Sequence, residues 1–144
     1  MMPNKGFTVI EIILIIGILA IIFGLGFPIV FDFYKNYQFK TEQDQFISFL
    51  EIARNLSMTN LNQSQHGVFQ NNDNFIIFEG NSFATRNQSQ DQIFPRSKAV
   101  SVSGPSEIIF NVISGQATSS LYIFTNGKTS SNVYVNKEGQ IDWQ

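Results

Sequence analysis

Hydrophobic and polar positions fall along this chain in three regimes. From Ile12 to Phe31 the sequence reads IILIIGILAIIFGLGFPIVF, a run of about 20 residues with no charged or polar side chain. As a helix rising about 1.5 Å per residue, the run spans about 30 Å, the thickness of a bilayer's hydrocarbon core. It predicts a transmembrane helical stem over residues 7–31. Between Asp32 and Asn62 there is no Pro or Gly, and Phe46, Phe49, Leu50, Ala53, Leu56 and Leu61 recur at helical spacing. Lys40, Asp44, Glu51 and Asn55 fall mainly elsewhere, so residues 32–62 are expected to be the amphipathic half of the same helix. A helix from Phe7 to Asn62 has about 56 residues and a length on the order of 84 Å. Pro28 removes one amide donor and is expected to kink the stem near Gly24 and Gly26.

In the third regime, residues 63–144, apolar residues alternate between turn signals. His66-Gly67-Val68-Phe69-Gln70 and Phe75-Ile76-Ile77-Phe78-Glu79 flank Asn71-Asn72-Asp73-Asn74 and predict a hairpin. Asn87 to Gln92 reads as an exposed polar loop. Val100 and Val102 alternate with serines before Gly104-Pro105, and Ile108, Phe110 and Val112 alternate in the next segment. Leu121 to Thr125 runs into Asn126-Gly127, a preferred two-residue hairpin turn. Val133 and Val135 lead through Lys137-Glu138-Gly139 to Ile141 and Trp143. The expected fold class is α+β: a long N-terminal helix, transmembrane stem plus amphipathic half, packed on an antiparallel β-sheet head.

Composition narrows the chemistry. Charged residues are only 14% of the 144-residue chain, but 15 phenylalanines supply a core that a disordered chain lacks. A formal net charge of −2 excludes a bulk polycation that coats nucleic acid. With no cysteine and one histidine, His66, there is no disulfide, no thiolate site and no multi-histidine metal centre. His66 reads as a lone surface histidine. No nucleophile motif surrounds the serines and the carboxylates are scattered, so no enzyme, no cofactor and no metal are expected. Asn71-Asn72-Asp73-Asn74 lacks the longer acidic pattern of a calcium loop and reads as a plain turn. Arg86, Arg96 and Lys98 form the one cationic cluster, read as a solvated loop.

The ends of the apolar run set its expected orientation. Lys5 is the single charge before it, which favours an N-terminus on the cytoplasmic side and the head outside. No small-residue cleavage site follows; Phe27-Pro28-Ile29-Val30-Phe31 is bulky, so the run is expected to be retained as an anchor. Glu11 stands between Ile10 and Ile12, and an unpaired carboxylate in an apolar setting is costly.

Lys5-Gly6-Phe7-Thr8-Val9-Ile10-Glu11 resembles the cleavage signature of type IV prepilins and type II secretion pseudopilins. In that family a short basic leader ends in Gly, Phe follows, and Glu is the fifth mature residue. The apolar run and Pro28 also stand where the family has its stem and stem proline. The resemblance implies a leader peptide at 1–6, cleavage after Gly6 by a prepilin peptidase, and N-methylation of Phe7. It also implies that Glu11 neutralises the Phe7 amine of a neighbouring subunit during assembly; such a pair is much stronger in low dielectric than in water.

Residues 106–110 (Ser-Glu-Ile-Ile-Phe), Gly115, Val133-Tyr134-Val135-Asn136 and Gly139-Gln140-Ile141 resemble the closing hairpins of H-type pseudopilins and T-type fimbrial minor pilins. The expected function is thus a structural subunit of a type IV pilus-like or type II secretion filament, with no catalytic role. The expected partners are prepilin peptidase, other pilin or pseudopilin subunits, an inner-membrane assembly platform and, before assembly, membrane lipids. The expected location is the cytoplasmic membrane as a single-pass protein, then an extracytoplasmic filament. The alternative is a minor pilin whose head binds extracellular DNA or a surface. Against DNA stands the tail Gln140-Ile141-Asp142-Trp143-Gln144, with an acid and no base; the nearest cations are Lys128 and Lys137, and Lys137 lies beside Glu138.

Overall fold

A computed structural model of the chain describes residues 6–144, and for 25–32 the backbone alone. Lys5 therefore lies outside the described residues, as do the Pro28 side chain and the kink expected around it. The chain divides into two compact units, Met1–Tyr34 and Lys35–Gln144.

Helix α1 comprises Val9–Met58. Its side chains are described over 9–24 and 33–58. Among the described residues no helix is long and apolar enough to cross a membrane. This overturns the expected long transmembrane stem and, with it, the single-pass location in the cytoplasmic membrane. The physical reason lies in each stretch. Residues 9–24, the apolar part whose side chains are described, are fewer than the roughly 20 a spanning helix needs and include the charged Glu11. Residues 33–58 are amphipathic and carry Lys40, Glu42, Asp44, Glu51 and Arg54.

The second stretch forms the spine of the Lys35–Gln144 unit. Phe46, Leu50 and Ala53 are fully buried, Phe39, Ile47 and Phe49 nearly so. Lys40, Asp44, Glu51 and Asn55 face solvent as the spacing requires. The helix stops at Met58. Asn60 and Asn62 adopt left-handed backbone (φ 55° and 54°), a conformation asparagine tolerates better than most residues. Leu61, expected on the buried stripe, lies beyond this stop and is 45% exposed.

Two four-stranded antiparallel sheets cover the helix. The first contains β1 (His66–Gln70), β2 (Asn74–Glu79), β3 (Gln92–Pro95) and β5 (Glu107–Phe110), in the order β3-β2-β1-β5. The second contains β4 (Ser101–Ser103), β6 (Ser120–Thr125), β7 (Ser130–Val135) and β8 (Ile141–Trp143), in the order β4-β6-β7-β8. Val68, Phe75, Ile77, Ile108 and Phe110 of the first sheet meet Tyr122, Phe124, Val133 and Val135 of the second in one core with the helix. Phe46 is its hub, with ring centroids 5.0 Å from Phe75, 4.8 Å from Tyr122 and 5.4 Å from Phe124.

Three local readings change. Asn87 to Gln92 is largely exposed as expected but is not without structure. It contains a short 3-10 turn at Gln88–Gln90 and leads into β3. Upstream, Phe83 stacks on Phe69 at 3.6 Å and meets Phe78 edge-on, covering the far face of the first sheet. The Asn126-Gly127 turn is longer than a two-residue hairpin: Thr125 pairs with Ser130, and the Asn126 carboxamide oxygen accepts the Lys128 and Thr129 amides. Val112 does not extend β5, because Ile113 takes left-handed backbone (φ 66°) and turns the chain.

Candidate functional site

The N-terminal residues of α1 are positioned by a reciprocal cap. The Thr8 amide and hydroxyl both donate to Glu11 Oε2 at 2.9 Å, and the Glu11 amide donates back to Thr8 Oγ1 at 3.4 Å. Thr-x-x-Glu ahead of an apolar run is the capping-box pattern, in which two otherwise unpaired helix donors are satisfied at once. The pattern is legible in the sequence at Thr8 and Glu11, three residues apart. The Thr8 amide, then its hydroxyl, hold the Glu11 carboxyl below the usual range. Glu11 is thus an ionised acceptor at a helix start, where the helix dipole also favours negative charge.

Gly6, Phe7 and every side chain from Thr8 to Gly24 are exposed. Phe7 is 78% exposed, and among the described residues, chain neighbours aside, no atom lies within 4 Å of where a Cβ on Gly6 would stand. Phe7, Ile10, Glu11, Leu14 and Ile15 line a shallow hollow of about 320 Å³. The structure therefore brings Phe7 and Glu11 to one end of an apolar surface that no described residue of its own unit covers.

The other singled-out residues are structural. His66 is buried, not at the surface. Its amide donates to Ser57 Oγ at 2.8 Å, tying β1 to the last turn of α1. Its Nε2 lies 3.9 Å from Glu79 Oε2. Burial pushes the imidazole below its ordinary pKa and outweighs the opposing Glu79 carboxylate. At Asn71-Asn72-Asp73-Asn74, the Asn71 carboxamide accepts the Asp73 and Asn74 amides, so this ligand oxygen is spent on the turn itself.

The cationic cluster is not a solvated loop. Arg86 pairs with Asp91 at 2.8 Å and lies over the Phe83 ring. Arg96 is buried against Glu42 at 3.0 Å; it also donates to the Asn71 and Val100 carbonyls. The Ser97 amide donates to the other Glu42 oxygen at 2.8 Å. Of the three, only Lys98 is exposed. Two of these cations, expected to be solvated, are instead committed to carboxylates of this chain.

Comparison with protein-family models, curated proteins and solved structures returned no match.

Proposed function

We propose that this chain is a structural subunit, of the pseudopilin or minor-pilin kind, of a type IV pilus-like or type II secretion filament. It is processed after Gly6 by a prepilin peptidase, methylated at Phe7 and assembled through its N-terminal helical residues. The observation that carries this reading is the exposed apolar surface of residues 7–24, headed by an ionised Glu11. So large an apolar surface is unfavourable in water and marks an interaction site. Packing against the equivalent residues of other subunits removes it from solvent. Cleavage creates an ammonium at Phe7, four positions before Glu11, and a neighbour's carboxylate supplies its counter-charge. The sheets then form the head.

The test is intact-mass and N-terminal analysis of the protein made together with a prepilin peptidase. The mature chain begins at Phe7, and Gly6→Val leaves the leader attached. A wild-type chain that keeps Met1 to Gly6 in the presence of an active peptidase contradicts the proposal.

A further inference from the structure

The second sheet ends in an open edge at β8, a feature independent of the filament reading. Val133↔Trp143, Tyr134↔Asp142 and Val135↔Ile141 pair β8 with β7. Directly opposite residues share a face of the sheet. Ile141 and Trp143 therefore lie on the side of buried Val133 and Val135, and Asp142 lies on the outward side with Tyr134. Ile141 packs against the core, whereas Trp143 stays 55% exposed. Hydrogen bonds fix the direction of each backbone group. Asn132 and Gln144 exchange two at 3.0 Å, and the Asn136 amide donates to the Gln140 carbonyl at 3.0 Å. Antiparallel partners alternate between bonded and non-bonded pairs. Asp142 is thus bonded to Tyr134, while the amides and carbonyls of Ile141 and Trp143 point away from β7. Among the described residues no strand lies on that side of β8, and such an edge is a template for another chain. The other edges are less open. Strand β3 carries Pro95, which has no N–H; β5 is bridged at Phe110 by Ala117; β4 faces Asn72, Asp73 and Lys98.

The side chains at this edge define what pairs with it. Leu121, Tyr134 and Asp142 form one outward row across β6, β7 and β8. With Asn132, Trp143 and Gln144 they line a hollow of about 640 Å³ that holds one carboxylate and no cation. Among the described residues, no hydrogen bond or ion pair engages the Asp142 carboxylate. A strand added antiparallel to β8 sets one residue opposite Asp142 in a non-hydrogen-bonded pair, where side chains come closest. Its two neighbours fall beside Ile141 and Trp143 on the other face. A cation opposite Asp142 and apolar residues beside Ile141 and Trp143 stabilise that pairing. A second copy of β8 in this register sets Asp142 against Asp142, and like charges directly opposite are destabilising. We infer that β8 captures an extended segment of a partner protein in which apolar, basic and apolar residues follow one another. The main chain of Ile141 and Trp143 holds the segment by strand addition, and Asp142 selects its basic residue.

Trp143 is the single tryptophan of the chain, so its emission reports on the edge without labelling. The full chain, in an uncharged polyoxyethylene detergent, is titrated with the blocked peptide Ser-Val-Lys-Val-Ser and with its Ser-Val-Glu-Val-Ser counterpart. The lysine peptide gives a saturable change with half-saturation at about 1 mM or below, and the glutamate peptide binds about tenfold more weakly. Asp142→Lys reverses that preference. Ile141→Pro removes one outward amide without touching the ladder to β7 and weakens the lysine peptide about tenfold. Ile93→Ala on β3 leaves both titrations unchanged. Far-UV circular dichroism checks folding; Asp142→Lys alters an exposed side chain and decides alone if Ile141→Pro does not fold. Four results overturn the inference. They are no saturation with the lysine peptide, equal binding of the two peptides, an unchanged preference in Asp142→Lys, or a dimer of the chain alone that Ile141→Pro dissociates, which makes a second copy the occupant.

Discussion

Glu11 accepts two hydrogen bonds from Thr8, so cap and intersubunit counter-ion are two roles for one carboxylate, and substitution separates them. Glutamine also serves in a capping box, but it carries no charge. If pairing with the Phe7 amine drives assembly, Glu11→Gln and Glu11→Ala both reduce incorporation into sheared filaments, by about five- to thirtyfold for 1–2 kcal/mol. Incorporation of Glu11→Gln at the wild-type level leaves Glu11 with the cap alone. His66 supplies a pH dependence. Its folded-state pKa lies below its ordinary value of 6.5 because burial disfavours the imidazolium. The unfolded chain therefore binds the proton first as pH falls. The stability contributed by neutral His66 is complete above about pH 6.5 and is lost as pH falls through the lowered folded-state pKa. Urea unfolding between pH 7.5 and 5 shows a declining midpoint, and His66→Gln flattens that decline. An equally steep decline in the variant assigns it to other groups.

At the scale of elements, the Glu42–Arg96 pair joins the helix to the segment between β3 and β4. Both side chains are 4% exposed. Removing one partner leaves a buried charge without its counter-ion, so Glu42→Ala costs about 3–5 kcal/mol in chemical denaturation. A loss below 1 kcal/mol, the range of surface pairs, contradicts its role as an inner clamp. This pair was not legible in the sequence, because its members stand 54 residues apart and their meeting depends on how the sheet folds over the helix. The helical stripe at Phe46, Phe49, Leu50 and Ala53 was legible because a 3.6-residue repeat is local. So were β1, β2, β6 and β7, which alternate over several residues between turn signals. Strand β3 escaped notice because it is a short edge strand with exposed positions, Ile93 among them. The two roles of Arg86 and Arg96 were misread for the reason that hid Glu42: a cation's partner is a tertiary fact.

For the whole molecule, the apolar run and the amphipathic stripe predicted one membrane-spanning helix, but the apolar residues described, 9–24, fall short of a bilayer. Gly6, Phe7 and Glu11 lie exposed beside an apolar surface, and their roles in processing and assembly belong to the proposal. Two folded sheets bury aromatic residues around the second half of the helix, so the head has its own core. The filament proposal therefore divides the labour, with assembly at the N-terminal residues and contacts with other molecules at the head. The most direct test of that proposal is to shear filaments from cells that produce this chain with the prepilin peptidase and assembly machinery, and to analyse the sheared fraction by N-terminal sequencing and intact mass. The account predicts the chain within that fraction, beginning at Phe7. A folded, abundant chain absent from the sheared filaments, or present there with Met1 to Gly6 still attached, contradicts it.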